Sequence, residues 1–385
     1  MWPGVLNKKI RVLIFVNSFR IGGSERQAVE LFKRLDRSRF EPILACFQKD
    51  GPLSEELPDG LHGVESFPLS GFFNSNALRQ AAKLYQLCRA RQIQVVQCFN
   101  YYSNVFAIPI ARLARVPVIL GCRREEAVTR TATHQLAERW SYRLATGVIA
   151  NAEAIKEQVV ERDGIRSEKI WTIHNGLDLA RFDPQRGSSR EDLRDERKEI
   201  VVAVVANLRP EKGHLVFLQA ASRLATEYPG VRILIVGEGP ERTRIEGKIG
   251  ELGLTERVDM RGEVRDIPGL FRSVDIAVLP SLMNEGFPNS VMEAMGASIP
   301  VVATDSGGTR ELVMDGYTGF VVQPGDAAAM ADRIGKLCAD PERRRKMGEA
   351  GHRRVVEGFT VEKMAKQFEA LYLKLLNKRG SREGK

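Results

Sequence analysis

The stretch NEGFPNSVMEAMGASIPVVATDSGGT, residues 284–309, is the one around which the rest of the chain is organised. It opens with a polar turn, Asn284-Glu285-Gly286, and a Phe287-Pro288-Asn289-Ser290 step. A helical run over about 290–296 follows, then a buried-type strand at 301–303 and a Gly307-Gly308 turn. Proline suits a helix start, where its missing N–H would have no intrahelical acceptor. Gly286 lets backbone approach a ligand closely. The free N–H groups of such a helix start suit a phosphate or a sugar hydroxyl.

Two carboxylates frame the stretch, Glu285 before the helix and Glu293 within it. Eight residues of straight helix span about 12 Å, beyond the roughly 5–9.5 Å that separates paired glycosidase carboxylates. They are not expected to be the acid and base of one bond. Spacing alone leaves two readings open. The pair grips two ends of one elongated ligand, or it is a solvated turn glutamate and a helix glutamate favoured by the dipole.

A chain of 385 residues suits two domains. It is 43% apolar and 28% charged, as expected of a globular protein with sizeable cores. No apolar run reaches the roughly 18–20 residues of a spanning helix. The first residues lack the apolar length and cleavage site of a secretory signal, and a cytoplasmic location is expected. Cys46, Cys88, Cys98, Cys122 and Cys338 show no C-x-x-C spacing and read as buried thiols. The histidines form no H-x-x-x-H pair, and no metal site is expected. Net charge is +9. Residues 1–180 hold 25 Lys and Arg against 18 Asp and Glu, a net +7. That basic half suits an anionic membrane face, a nucleic acid, an acidic substrate or simply water. A nucleic-acid binder is disfavoured, because no basic run is interleaved with stacking aromatics.

Strand and helix patterns alternate along the chain, which argues for doubly wound parallel sheets. Strands are expected at 10–17, 41–47, 94–98, 117–121, 147–150 and 170–173, and helices at 76–92, 103–115, 133–145 and 152–162. The first strand leads to Gly22-Gly23-Ser24, with Ser24 a plausible N-cap. The helix at about 76–90 carries Arg79, Lys83 and Arg89 beside apolar residues, as a lipid-facing or an ordinary surface helix does. Arg123 and Arg124 end a strand, where α/β ligand crevices form. Asn175-Gly176 reads as a positive-φ turn. Residues 183–198, DPQRGSSREDLRDERK, read as a linker. Beyond it, a strand at 200–206 leads to Asn207-Leu208-Arg209-Pro210-Glu211-Lys212-Gly213, whose cations can neutralise a diphosphate. The strand at 233–236 ends in Gly237-Glu238-Gly239-Pro240.

Glu285-Gly286-Phe287-Pro288 followed by Glu293-Ala294-Met295 resembles the E-x7-E signature of retaining glycosyltransferases of family four. Lys212-Gly213 resembles that family's G-R-L-x-x-x-K-G step, although Asn207 occupies the arginine place and Arg209 follows two residues later. Many relatives carry a histidine near Arg123, and this chain has none there.

The resemblance implies an α/β protein of GT-B fold, with two Rossmann-like doubly wound domains facing across a cleft. The expected division is 1–182 on the acceptor side, a linker at 183–198, a nucleotide-sugar domain at 199–360, and a helix at 361–377 crossing back to the first. It implies a nucleotide-sugar co-substrate, no cofactor, a saccharide or lipid-linked acceptor, and a place in polysaccharide or glycolipid synthesis. Lys212 and Arg209 are expected on the departing diphosphate, Glu285 on the donor sugar and Glu293 on the ribose. Gly22, Gly23, Asn207, Gly237, Gly286, Phe287, Pro288, Asn289 and Ser290 are expected to line the donor, and Arg123 or Arg124 to touch acceptor or phosphate. Peripheral contact with the inner face of a membrane is also expected. The alternative is a catalytically silent paralogue that binds sugar nucleotides.

Overall fold

The computed structural model describes residues 9–58, 60–72, 74–125, 131–182, 199–283 and 285–383. The expected linker at 183–198 and Asn284 lie outside them. Two units form, one of residues up to Gly176 together with Val361 onward, the other Leu177–Thr360. Residues 177–182, expected with the first domain, belong to the second unit. Leu177 donates its N–H to the Phe359 carbonyl at 2.8 Å and bridges Thr360.

The first unit holds a sheet of seven strands: β1 (Ile10–Val16), β2 (Phe40–Cys46), β3 (Glu65–Ser66), β4 (Val95–Cys98), β5 (Val118–Arg123), β6 (Gly147–Ala150) and β7 (Ile170–Thr172). Their order is β3-β2-β1-β4-β5-β6-β7, every pair parallel. The unbroken apolar run at residues 12–16 of β1 follows from burial on both faces. Val12, Ile14 and Val16 join a core with Phe368 and Tyr372, while Leu13 and Phe15 join another with Phe106 and Ala107. The C-terminal helix, Val361–Glu383, thus closes one face of this sheet. Tyr372 stands 6.2 Å from the Phe40 ring, and its hydroxyl donates to Gln97 at 3.3 Å.

The second unit holds β8 (Ile200–Val205), β9 (Val231–Val236), β10 (Val258–Gly262), β11 (Ile276–Leu279), β12 (Val301–Thr304) and β13 (Gly319–Val322). The order is β10-β9-β8-β11-β12-β13, again all parallel. Strand order reverses between β1 and β4 in one sheet and between β8 and β11 in the other. In open α/β sheets, loops leaving the carboxyl ends of strands at such a reversal form the ligand crevice.

Three local expectations are corrected. The helix Gly23–Arg34 is capped by Gly22 without a side-chain hydrogen bond, not by Ser24. The Glu25 carboxylate folds over this start, so that a Cβ on Gly22 would lie 2.4 Å from its Oε2. Asn175-Gly176 has no positive φ. Instead Gln27 clasps Gly176, donating Nε2 to its carbonyl at 3.0 Å and accepting its N–H at 2.8 Å. The helix after Glu285 begins only at Asn289, so straight-helix spacing does not measure the distance from Glu285 to Glu293.

Candidate functional site

The second unit gathers its chemistry where β8, β11 and β12 end. Lys212 closes the short 3-10 turn Pro210–Lys212, and Gly213 follows at φ +69°. A Cβ there would sit 2.0 Å from the Pro280 carbonyl oxygen, so the turn lies directly on the chain leaving β11. The Leu282 N–H donates to the Glu211 carbonyl at 2.8 Å, fastening the two loops. The Lys212 Nζ reaches Glu285 Oε1 at 2.5 Å, and the Ser281 hydroxyl donates to the same oxygen at 2.6 Å. Glu285 is only 6% exposed. A buried carboxylate needs such partners, since burying an unpaired charge is costly. Thr304, at the end of β12, donates its hydroxyl to the Ser281 carbonyl at 2.6 Å, so three strand ends hold one carboxylate.

The Gly307-Gly308 turn closes on the same point. The Gly308 N–H donates to the Gly286 carbonyl at 2.6 Å, and Gly307 adopts φ +53°. Phe287 turns inward, its ring 5.0 Å from Phe359. Pro288 caps the helix Asn289–Gly296 without a side-chain hydrogen bond, which leaves the first-turn N–H groups without intrahelical acceptors. The helices opening at His214 and Thr309 also lack a side-chain cap. Of the helices opening elsewhere in this unit, three are capped by Asp266, Asp326 and Asp340, while the helix Arg242–Glu251 has no side-chain cap. Asn289, Ser290 and Glu293 are half-buried along the helix Asn289–Gly296.

Asn207 and Arg209 are exposed beside this constellation. The Arg209 guanidinium lies 4.0 Å from Glu211 and is not drawn onto Glu285. Gly237 stands at φ +142°, where a Cβ would meet the Ala206 carbonyl at 2.0 Å. The Leu208 N–H donates to Glu238 and the Glu241 N–H to Leu208, at 2.9 and 3.1 Å, binding the Gly237 turn to the Asn207 turn.

His214 was not singled out by sequence, since one histidine after a glycine carries no pattern. It is 2% exposed, and neither ring nitrogen has a hydrogen-bond partner among the described residues. Burial, and next the Lys212 charge, lowers its pKa to about 4 from 6.5. The unfolded chain therefore binds the extra proton first as pH falls. This contribution to stability is present above pH 6.5 and is lost on descending towards pH 4, by about 3 kcal/mol. Unfolding free energies of the wild type and His214→Leu, from urea titrations between pH 7 and pH 4, should diverge by that amount. Parallel pH profiles would sink the assignment.

In the first unit, strand parity separates the arginine pair. Arg123, the last residue of β5, is buried against Glu138 at 2.9 Å and Asp163 at 2.6 Å. That guanidinium is committed to two carboxylates, which corrects its expected place on acceptor or phosphate. Arg124 follows the strand, is half-buried, donates to the Asn175 side chain and lies 5.3 Å from the Phe99 ring centroid. Gly22 is half-buried and Gly23 exposed at the β1 exit. Asn100 donates to Glu25 there at 3.1 Å, and burial raises the Glu25 pKa. Sequence gave no signal for this Glu25, Asn100 and Asn175 grouping, because its members are far apart in the chain.

Two parallel doubly wound sheets in one chain are the architecture found in the GT-B class of α/β proteins. Residues 21–181 match the model of Glycosyltransferase Family 4, and residues 185–354 that of Glycosyl transferases group 1. The D-inositol 3-phosphate glycosyltransferase of Nocardia farcinica is 32% identical over 341 residues, covering 83% of this chain and 75% of that protein. The UDP-Gal:alpha-D-GlcNAc-diphosphoundecaprenol alpha-1,3-galactosyltransferase of Escherichia coli is 25% identical over 372 residues, covering 92% and 95%. Anabaena HepE, solved in complex with UDP and glucose, superposes with a TM-score of 0.82 at 24% identity, over 94% of this chain and 99% of that one. The chain belongs to glycosyltransferase family 4, and it is a glycosyltransferase of GT-B fold.

Proposed function

We propose that the protein moves a sugar from a nucleotide-sugar donor to a hydroxyl of a lipid-linked saccharide, with retention of anomeric configuration and without a divalent metal. The observation that carries this reading is the Lys212–Glu285 pair, held by Ser281 and ringed by uncapped helix starts. An ammonium has three N–H donors. One engages Glu285, which leaves two for diphosphate oxygens. Positive charge and helix N-termini then stabilise the leaving group where a metal otherwise does. The bond from the anomeric carbon to phosphate breaks as the bond to the acceptor oxygen forms on the same face. The acceptor's proton passes to the departing phosphate oxygen, so no protein nucleophile is needed. Glu285 is assigned to the donor sugar, Glu293 to the ribose, and Arg209 to the diphosphate. Gly22, Gly23 and Arg124 are assigned to contacts with acceptor or phosphate.

Uridine donors come first, because the Escherichia coli relative is named for UDP-Gal and HepE was solved with UDP. A lipid-linked acceptor, and hence peripheral contact with the inner face of a membrane, follows the same relative's diphosphoundecaprenol substrate. The test is a screen of UDP-, GDP- and ADP-sugars for donor hydrolysis and transfer, with the anomer of the product read by proton NMR. Turnover undiminished in EDTA and an α-linked product from an α-donor are expected. Inversion, or activity abolished by chelation and restored by a divalent ion, would overturn the mechanism. Nucleotide binding without turnover on any acceptor would favour the silent paralogue, a reading to which Asn207 in the arginine place lends some support.

A further inference from the structure

Three helices of the first unit, Ser75–Ala90, Tyr101–Leu113 and Ala132–Leu144, lie side by side. Leu84, Cys88, Phe106 and Ala107 share a core with Leu13 and Phe15, which places this layer opposite the C-terminal helix. Its outer side is apolar at helical spacing. Leu78 and Tyr85, Tyr102 and Leu113, and Leu136 and Trp140 are all exposed, Leu113 to 73% and Trp140 to 57%. Separations of seven, eleven and four residues keep each pair on one stripe of its helix.

The charge among these stripes has a single sign. Arg79 and Arg89, Arg112 and Arg143 are exposed. The only acid in the three helices is Glu138, which is fully buried against Arg123. Elsewhere the protein solvates its helices differently. On Pro341–Gly358, Arg345 pairs with Glu342 and Glu349, and Lys346 with Glu342. The three-helix layer omits such acids and exposes tryptophan, tyrosine and leucine in their place. A bilayer of acidic lipid offers negative potential and an apolar layer together, and both features match.

We propose that this face docks on an anionic lipid bilayer, with Leu78, Leu113, Leu136 and Trp140 entering the interfacial zone and the arginines meeting headgroup phosphates. The proposal rests on the reading that the acceptor is lipid-linked, and it names the surface that brings the enzyme there.

The full chain is sedimented with vesicles of phosphatidylcholine alone and with vesicles containing about one-third phosphatidylglycerol. Binding is expected to the second only, and to weaken as salt rises. Leu136→Ser with Trp140→Ser, and separately Arg79→Glu with Arg89→Glu, should each weaken it by about tenfold or more. Donor hydrolysis by both variants should match the wild type. No binding to anionic vesicles, or binding indifferent to both variants, overturns the proposal. So does lipid-free self-association that Trp140→Ser abolishes, since the face would then serve a second copy. Thermal stabilisation by nucleotide-sugars is read on the same samples. Its absence with vesicle binding intact removes the donor reading alone, whereas lost vesicle binding with an intact donor response removes this one alone.

Discussion

Lys212→Ala is expected to lower turnover by 10- to 1,000-fold, on the order of what one charge aimed at a developing anion supplies. The substitution has a second effect, because Lys212 also partners Glu285. Glu285 is 6% exposed, and Ser281 would remain its donor among the described residues. A buried carboxylate that loses one of two partners costs about 1–3 kcal/mol or more of stability. The two effects separate when the double variant Lys212→Ala with Glu285→Gln is compared with Glu285→Gln alone, since Glu285 is itself assigned to the donor sugar. Neutralising the stranded carboxylate should recover much of the lost stability, while turnover falls well below that of Glu285→Gln. Equal turnover in the double variant and in Glu285→Gln would show that Lys212 serves the fold alone. Glu293→Ala should fall in the same range of turnover without the stability loss of Lys212→Ala, since Glu293 is only half-buried. Near-normal kcat and KM in purified Lys212→Ala and Glu293→Ala would count heavily against a diphosphate leaving group in this site.

Legibility in the sequence followed the range of the interactions. The run VLIFV, residues 12–16, names β1 because both of its faces are buried, and such a stretch leaves no polar positions. The Glu-Gly-Phe-Pro string and Lys212-Gly213 likewise name their turns, since local backbone needs dictate them. β3 escaped notice because two residues, Glu65–Ser66, carry no periodicity. The Gln27 clasp on Gly176 joins residues 149 apart, and no local pattern encodes that. The Arg123–Arg124 pair was separable in principle. Leu120 and Cys122 face one core and Ile119 the other, so alternation sends Arg123 to the Ile119 side, where Glu138 lies. What the alternation did not reveal was that an acid waited there. The site was therefore legible as a set of loops, and the tie from Lys212 to Glu285, across 73 residues, was not.

Gly307→Ala is expected to weaken both fold and site by roughly 2–4 kcal/mol, and a matched control isolates the reason. Gly307 and Gly316 both lie in the left-handed region, at φ +53° and +76°. Alanine at Gly316 would meet nothing within 4 Å and bears only the backbone penalty, about 1 kcal/mol. Alanine at Gly307 bears that penalty and also places its Cβ 2.0 Å from the Glu285 carbonyl oxygen. Main chain has no rotamer with which to withdraw, so the loop or the Glu285 backbone must move. Either shift loosens the 2.6 Å bond from the Gly308 N–H to Gly286 and disturbs the carboxylate that Lys212 holds. Gly307→Ala should accordingly lose melting temperature and raise the donor KM, while Gly316→Ala loses a little stability and keeps its KM. Equal effects of the two substitutions on KM would mean that the Gly307-Gly308 turn does not close on the donor site.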